Sequence, residues 1–324
     1  MRELIFQEDA GQRLDKYLQK YLKLAPKSFL YRMLRKKNIV LNGKKADGSE
    51  RLKQGDVIRL YLSDATVDKF REEQRTYPVW PDLEIVYEDR QVLLVNKPAG
   101  MLSQKAAPED ISLNEYLVGY LLESGQVTRE TLEGFTPSVC NRLDRNTSGL
   151  VVGAKTLGAA QEMGRLFKER RAGKYYLALV RGQITRKDRI RGWLVRDRKK
   201  NKVMVSREPR EEGAFIETAY EPLAVSEKMT LLKVELITGK THQIRSHLAG
   251  IGHPLAGDGK YGDGAFNRYF RERYGLSSQF LHSWKLEFPE MSVPFEALSK
   301  RTVIARPSEL FRKILQAEGL EVKE

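Results

Sequence analysis

The chain has 324 residues, long enough to expect two domains, with 41% apolar residues and a single cysteine, Cys140. No run approaches the roughly 18 apolar residues a membrane span needs, the N-terminus lacks a signal core, and one cysteine excludes an intrachain disulfide and a four-cysteine metal site. The net charge is +14, and residues 1–62 carry fifteen Lys or Arg against seven Asp or Glu, a local excess of +8. A small, strongly basic end domain is the electrostatic footprint of a phosphate-backbone binder, so nucleic acid is the expected partner, no membrane is, and a reducing cytoplasm is the expected setting.

Leu14, Tyr17, Leu18, Tyr21 and Leu22 recur at helical spacing. Pro26 suits the first turn of a second helix through Phe29, Leu30, Met33 and Leu34, whose other face carries Lys27, Arg32, Arg35, Lys36 and Lys37. Ile39 to Lys44 predicts a strand closing in the Asn42-Gly43 turn, and a further strand is expected over Val57 to Leu62. Arg13-Leu14-Asp15, the basic second helix, Val40-Leu41-Asn42-Gly43 and Gly55-Asp56-Val57-Ile58 together resemble the αL RNA-binding module of ribosomal protein S4. That resemblance implies that Arg32, Arg35, Lys36, Lys37 and the following Lys44 lie against structured RNA. On composition alone, a solvated basic helix pair remains open.

Residues 63–81, rich in charge and flanking Trp80 with Pro78 and Pro81, read as a linker. Strands are expected at Leu83 to Tyr87, Val92 to Asn96, Leu150 to Ala154, Tyr175 to Val180, Phe215 to Tyr220, Leu231 to Leu236, and near Leu286 and Phe288. Helices are expected through Leu113 to Leu121 and Ala159 to Phe167. The pattern predicts an α+β domain over residues 82–305, a mixed, mainly antiparallel sheet with helices packed on it. Residues 264–279 look like an insertion, and 306–324 like a C-terminal helix and tail.

One loop stands out for chemistry: Cys140-Asn141-Arg142-Leu143-Asp144-Arg145-Asn146-Thr147-Ser148-Gly149, just ahead of an apolar strand. Leu143 suggests a packed loop, and a carboxylate held between guanidiniums stays ionised and fixed in direction, so Asp144 is a candidate nucleophile or base. His242 and His247 are five apart rather than four, which fails the metal spacing of one helix face. Gly257-Asp258-Gly259-Lys260-Tyr261-Gly262 lacks phosphate-loop spacing, and its glycines read as tight turns. Lys97, in Asn96-Lys97-Pro98-Ala99-Gly100, is open between a phosphate contact and a solvated side chain.

Four segments in order resemble the RluA-type pseudouridine synthases, the group that includes the RluC and RluD large-subunit rRNA enzymes. They are Val95 to Met101, Arg142 to Gly149, Lys174-Tyr175-Tyr176-Leu177-Ala178, and Thr238-Gly239-Lys240-Thr241-His242-Gln243-Ile244-Arg245. The resemblance implies an isomerase that needs no cofactor and no metal, turning uridines of large-subunit rRNA into pseudouridine. It implies Asp144 as the nucleophile, Arg142 in the place of a flipped-out nucleotide, Tyr176 stacked on the target base, and Arg245 paired with Asp144. Ile244 and Leu281 would wall the uracil pocket, Lys97 and Lys240 would contact RNA, and His242 and Gln243 would be structural or RNA-contacting. Two departures, Asn141 where the family usually has histidine and Asn146 where it has aspartate, touch local electrostatics and leave the reaction class intact. A monomer is expected. The same chemistry on tRNA, or a non-catalytic RNA-binding role in ribosome assembly, stays open.

Overall fold

A computed structural model describes residues 1–7, 11–71, 76–197 and 202–320. The chain forms two compact units, one from Met1–Pro81, Asn114–Ser138 and Gly153–Glu162, the other from Asp82–Leu113, Val139–Val152 and Met163–Glu324.

In the first unit, the helices Leu14–Tyr21 and Lys27–Arg35 accompany a four-stranded antiparallel sheet ordered Arg2–Ile5, Val57–Leu60, Ile39–Leu41, Lys44–Lys45. The helical repeat buries Leu14, Leu18, Leu30 and Leu34 against Phe6, Ile39, Leu52 and Ile58. Arg32, Arg35, Lys36, Lys37 and Lys44 stay exposed. Asn42 and Gly43 both take positive φ, as a tight hairpin turn requires.

Residues 63–81 are not simply a linker. A helix spans Asp64–Phe70, capped by the Ser63 side chain, which accepts from the Thr66 amide. It buries Val67 and sets Phe70 against Phe29, ring centroids 4.6 Å apart. Two apolar residues among many charges are too few to reveal it by periodicity. Asn114–Ser138, expected within the catalytic domain, clusters with this unit; its helix Arg129–Gly134 opens with a Thr128/Thr131 capping box.

The second unit is built on the larger sheet. Its strand order is Lys202–Ser206, Asp188–Asp197, Ala214–Val225, Met229–Leu236, Gly173–Arg181, Leu281–Glu287, Ser148–Ala154, Val92–Lys97, Ile85–Glu88. Most pairings are antiparallel. Leu281–Glu287 runs parallel to Ser148–Ala154, with His282 opposite Ser148 and Ser283 opposite Gly149. This is the mixed, mainly antiparallel sheet of an α+β fold. Asp188–Asp197 and Lys202–Ser206 differ from expectation: Arg189, Arg191 and Arg196 break the apolar period of the first, and the second offers only the three apolar residues Val203 to Val205. Leu194 and Val203 nonetheless turn inward, onto Ile216.

Residues 264–279, expected as an insertion, pack into the core of this unit. The helix Gly264–Tyr274 is capped by Asp263, and its Phe270 is fully buried with Leu231, Phe280, Phe311 and Ile314. The C-terminal helix Glu309–Ala317 supplies Phe311, stacked on Phe280 at 3.8 Å. Among the described residues no helix is long and apolar enough to cross a membrane.

Gly149 ties the 140–147 loop to this framework. Its φ is +110°, and a Cβ there would lie 2.2 Å from the Ser283 carbonyl oxygen. Gly149→Ala is expected to destabilise the protein by about 3 kcal/mol or more, through backbone strain plus a clash with backbone that cannot swing away. Denaturant unfolding measures it, and wild-type stability would refute this account.

Candidate active site

The strand Ser148–Ala154 is buried along its whole length, so the loop before it starts from a rigid base. Asn141 bridges that strand: Oδ1 accepts from the Val152 amide at 2.8 Å and Nδ2 donates to the Leu150 carbonyl at 3.3 Å. Ser103 clamps the middle, its hydroxyl donating to the Leu143 carbonyl and accepting from the Leu143 amide, each at 3.0 Å. The Thr147 amide donates to the Asp144 carbonyl at 3.0 Å, closing the turn. Leu143 is buried, as its place among charges suggested.

Lys97 corrects an expectation. It is fully buried and contacts no solvent, so it is not a phosphate contact. Its ammonium donates to the carbonyls of Pro98, Met101 and Arg145 at 2.8, 2.8 and 3.1 Å, one acceptor for each of its three N–H bonds. Burial pushes its pKa down to about 7, against the pull of Asp144. Arg145 completes the same knot, exchanging hydrogen bonds with Gly100 through its Nε and its carbonyl. Arg145 therefore holds backbone, and the partner of Asp144 lies elsewhere.

That partner is Arg245, whose Nη1 donates to Asp144 Oδ2 at 2.8 Å. Its Nε and Nη2 donate to Asp258 at 2.8 and 2.9 Å, a planar two-pronged bond. The side chains of Arg245 and Asp258 are 9% and 1% exposed, so the pair is a buried one, whereas Asp144 at 24% opens to the cavity. Burial opposes the charged form of Arg245, but the two carboxylates outweigh it and raise its pKa. Burial likewise opposes ionisation of Asp258, yet Arg245 and the amides of Lys260 and Tyr261 hold its pKa below the usual carboxylate range.

Gln243 positions the helix Gln243–Gly250 on which Arg245 sits. Its amide oxygen accepts from Thr238 and the Lys240 amide, and its nitrogen donates to the Glu217 carbonyl and Thr218. Gln243 is thus structural. His242 precedes the helix with φ +55°, its Nδ1 3.0 Å from the Tyr261 hydroxyl and its Nε2 3.9 Å from Asp144 Oδ2. Burial outweighs the pull of Asp144 and keeps its pKa below the ordinary value, so the imidazole is neutral at neutral pH.

These groups face a cavity of about 720 Å³, whose lining includes Arg142, Asp144, Tyr176, Lys240, Ile244, Arg245 and Leu281. The sites expected from four distant segments are brought together, Lys97 alone being displaced into the loop behind. Arg142 is exposed, and Tyr176, Ile244 and Leu281 are buried walls. Burial, aided by the charge on Asp144, pushes the Tyr176 hydroxyl up to about 12 even though it bonds Ser283, so it is a neutral phenol at neutral pH. Among the described residues, seven cationic side chains line the cavity against the single carboxylate of Asp144, a surface suited to a polyanion carrying a flat uncharged ring. Among the described residues no three His, Cys, Asp or Glu side chains gather to hold a metal ion.

Asp258 was missed from sequence, where it sits among glycines that read as turns. The usable signal was indirect, since a buried arginine serving one half-open carboxylate leaves N–H donors needing a second acceptor.

Residues 91–250 match the RNA pseudouridylate synthase family and residues 12–58 the S4 domain. The chain is 31% identical to the ribosomal large subunit pseudouridine synthase C of Vibrio parahaemolyticus, covering 93% of this chain and 94% of that one. It is 33% identical to the enzyme of the same name from Escherichia coli, covering 87% and 86%. The fold is shared with human RNA pseudouridylate synthase domain containing 4, at TM-score 0.57 and 22% identity over 74% of this chain and 95% of that one. A second human protein, RNA pseudouridylate synthase domain containing 1, aligns at TM-score 0.51 and 25% identity over 78% and 100%.

Two outcomes follow from the buried charges. Lys97→Met strands carbonyls behind the loop and is expected to lower stability by about 2–4 kcal/mol; an unchanged denaturation midpoint would contradict it. Asp258→Asn leaves Arg245 half-partnered and is expected to cost about 3–5 kcal/mol at pH 7. Because the folded pKa of Asp258 is depressed, its contribution is complete above the unfolded value of about 3.9 and fades as pH falls through the folded one. In denaturant titrations the gap between wild type and variant should therefore be full at pH 7 and narrow progressively as the pH is lowered below about 3.9.

Proposed function

Because the chain belongs to the RluA-type RNA pseudouridine synthases, we propose that it isomerises uridines of large-subunit ribosomal RNA with Asp144 as the nucleophile. The observation that carries the assignment is the 2.8 Å contact from Arg245, itself fastened to buried Asp258, to the one carboxylate lining a cationic cavity. The substrate class rests on the relatives, which are named for the large ribosomal subunit, and on the basic S4 module with Arg32, Arg35, Lys36, Lys37 and Lys44 exposed. Those side chains, with Lys240 at the cavity rim, supply sequence-independent attraction for the RNA backbone.

A uridine inside structured RNA must leave its stack to reach Asp144, at a cost of a few kcal/mol. Arg142, exposed at the cavity, can enter the vacated place, where a planar cation both stacks and bonds phosphate. The extruded uracil enters between Tyr176, Ile244 and Leu281. Tyr176, a phenol at neutral pH, acts first as a stacking face. The Asp144 carboxylate then attacks the ribose anomeric carbon or the uracil ring, the bond from that carbon to uracil N1 breaks, the base turns and bonds it through carbon five as the bond to Asp144 breaks, and carbon five loses a proton while N1 gains one. The net change is an isomerisation, with no electron or phosphoryl group transferred. Arg245 keeps Asp144 aimed while the cavity fills and water leaves. Asp144, Tyr176 and Arg245 come from one chain, so the reading needs no second subunit, and its setting is the cytoplasm, where ribosomal RNA is assembled.

Asp144→Asn keeps the shape of the side chain and removes the nucleophile. Pseudouridine formation is expected to fall by at least about a thousandfold. Chemical labelling with primer extension on large-subunit RNA from cells carrying only the variant reads this directly, and normal modification levels would reject Asp144 as nucleophile.

A further inference from the structure

The strand Gly173–Arg181 presents alternate side chains to opposite faces, and its two faces differ in charge. Tyr175 lies with Glu235 and Glu287 on one side, together with Lys233 and Lys285. Lys174 and Tyr176 face the cavity. Lys174 is half-buried beside Gly239, where an added Cβ would stand 3.5 Å from its Nζ. Among the described residues its ammonium makes no hydrogen bond or ion pair. The charge acting on it is Arg170, of like sign, which together with burial lowers its pKa. Arg170 itself holds a left-handed backbone at φ +58° and is exposed on the cavity lining, as is Lys240 opposite. Asp144, the only carboxylate on that lining among the described residues, is already engaged by Arg245.

A half-buried cation without an acceptor and next to a second cation is unfavourable in the empty protein, and an anion between them relieves both terms. We propose that Lys174, Arg170 and Lys240 form a phosphate subsite in the cavity, which holds a phosphodiester of the RNA strand beside the extruded nucleoside. The subsite rests on the pseudouridine-synthase reading of the cavity and adds to it the group that anchors the flipped nucleotide by its backbone. Its contact exists equally in the bound and reacting states, so it governs affinity rather than the chemical step.

The test uses full-length Lys174→Gln and Arg170→Gln with a large-subunit rRNA transcript labelled with tritium at uracil carbon five, release of tritium reporting turnover. Lys174→Gln is expected to raise KM about tenfold, change kcat less than threefold, and make the logarithmic salt dependence of binding shallower by about one. Its thermal midpoint should equal or exceed that of wild type, because an unsatisfied half-buried charge is removed. A second arm adds inorganic phosphate against chloride at equal ionic strength. A phosphate-specific rise in the wild-type midpoint, absent in Lys174→Gln, extends the site to free phosphate, whereas no rise beside an altered KM restricts it to phosphodiesters in RNA; both support the subsite. Unchanged KM and salt slope in both variants would overturn it, as would loss of kcat at constant KM or a drop of several degrees in both midpoints. A wild-type enzyme inactive on the transcript would instead count against the proposed function, so the two failures are separable.

Discussion

One guanidinium shared between two carboxylates organises this molecule's chemistry. Taking an isolated ion pair out of water commonly returns less than it costs, because the desolvation of both charges rivals their attraction. Arg245 avoids that outcome by using Nε, Nη1 and Nη2 together, two on buried Asp258 and one on Asp144. Asp258 in turn accepts from the amides of Lys260 and Tyr261, so its negative charge is distributed over neighbours that cannot move independently. The result is an unequal pair of carboxylates. One is sealed and serves as an anchor, and the other is left partly open on the lining of a cavity.

The backbone around Asp144 is fixed by a complementary strategy. Lys97 spends its charge entirely on main-chain carbonyls, and Ser103 meets both polar groups of Leu143. Neither touches the carboxylate by a direct hydrogen bond among the described residues, yet both determine where it points. Asn141 joins them by bridging the adjacent strand, a task its amide performs with one donor and one acceptor and without any charge.

The parts of the site most legible in the sequence were the ones with distinctive local grammar. Arg142, Asp144, Tyr176 and Arg245 stand in segments whose order and spacing carry a resemblance, and they converge on one cavity. Lys97 escapes such a reading because a lysine before proline looks like a turn residue, and nothing local tells that its own turn will curl the Pro98 and Met101 carbonyls around it while distant Arg145 supplies the third. Asp258 was hidden by its glycines. In the fold, the helix Asp64–Phe70 and the strand Asp188–Asp197 escaped because charged residues interrupt their apolar period, and Lys202–Ser206 because its apolar run is only three residues, while Phe270 shows that an Arg-rich stretch can still contribute a fully buried ring. Periodicity reports one face at a time, and these elements bury a narrow one.

The parallel register of Leu281–Glu287 beside Ser148–Ala154 bears on how the enzyme comes into being. It joins residues more than a hundred and thirty positions apart, and the Ser148 hydroxyl meets His282 across it at 2.8 Å. Long-range parallel pairing must overcome a large loop-closure entropy before any contact rewards it, so such steps fall late and limit folding rates. Leu281, a wall of the cavity, and the loop bearing Asp144 are brought side by side by that same step. A chain with its other hairpins formed but this register open has basic surface to hold RNA and no cavity to receive a base. The wall of the cavity and the loop bearing Asp144 therefore depend on one and the same long-range pairing.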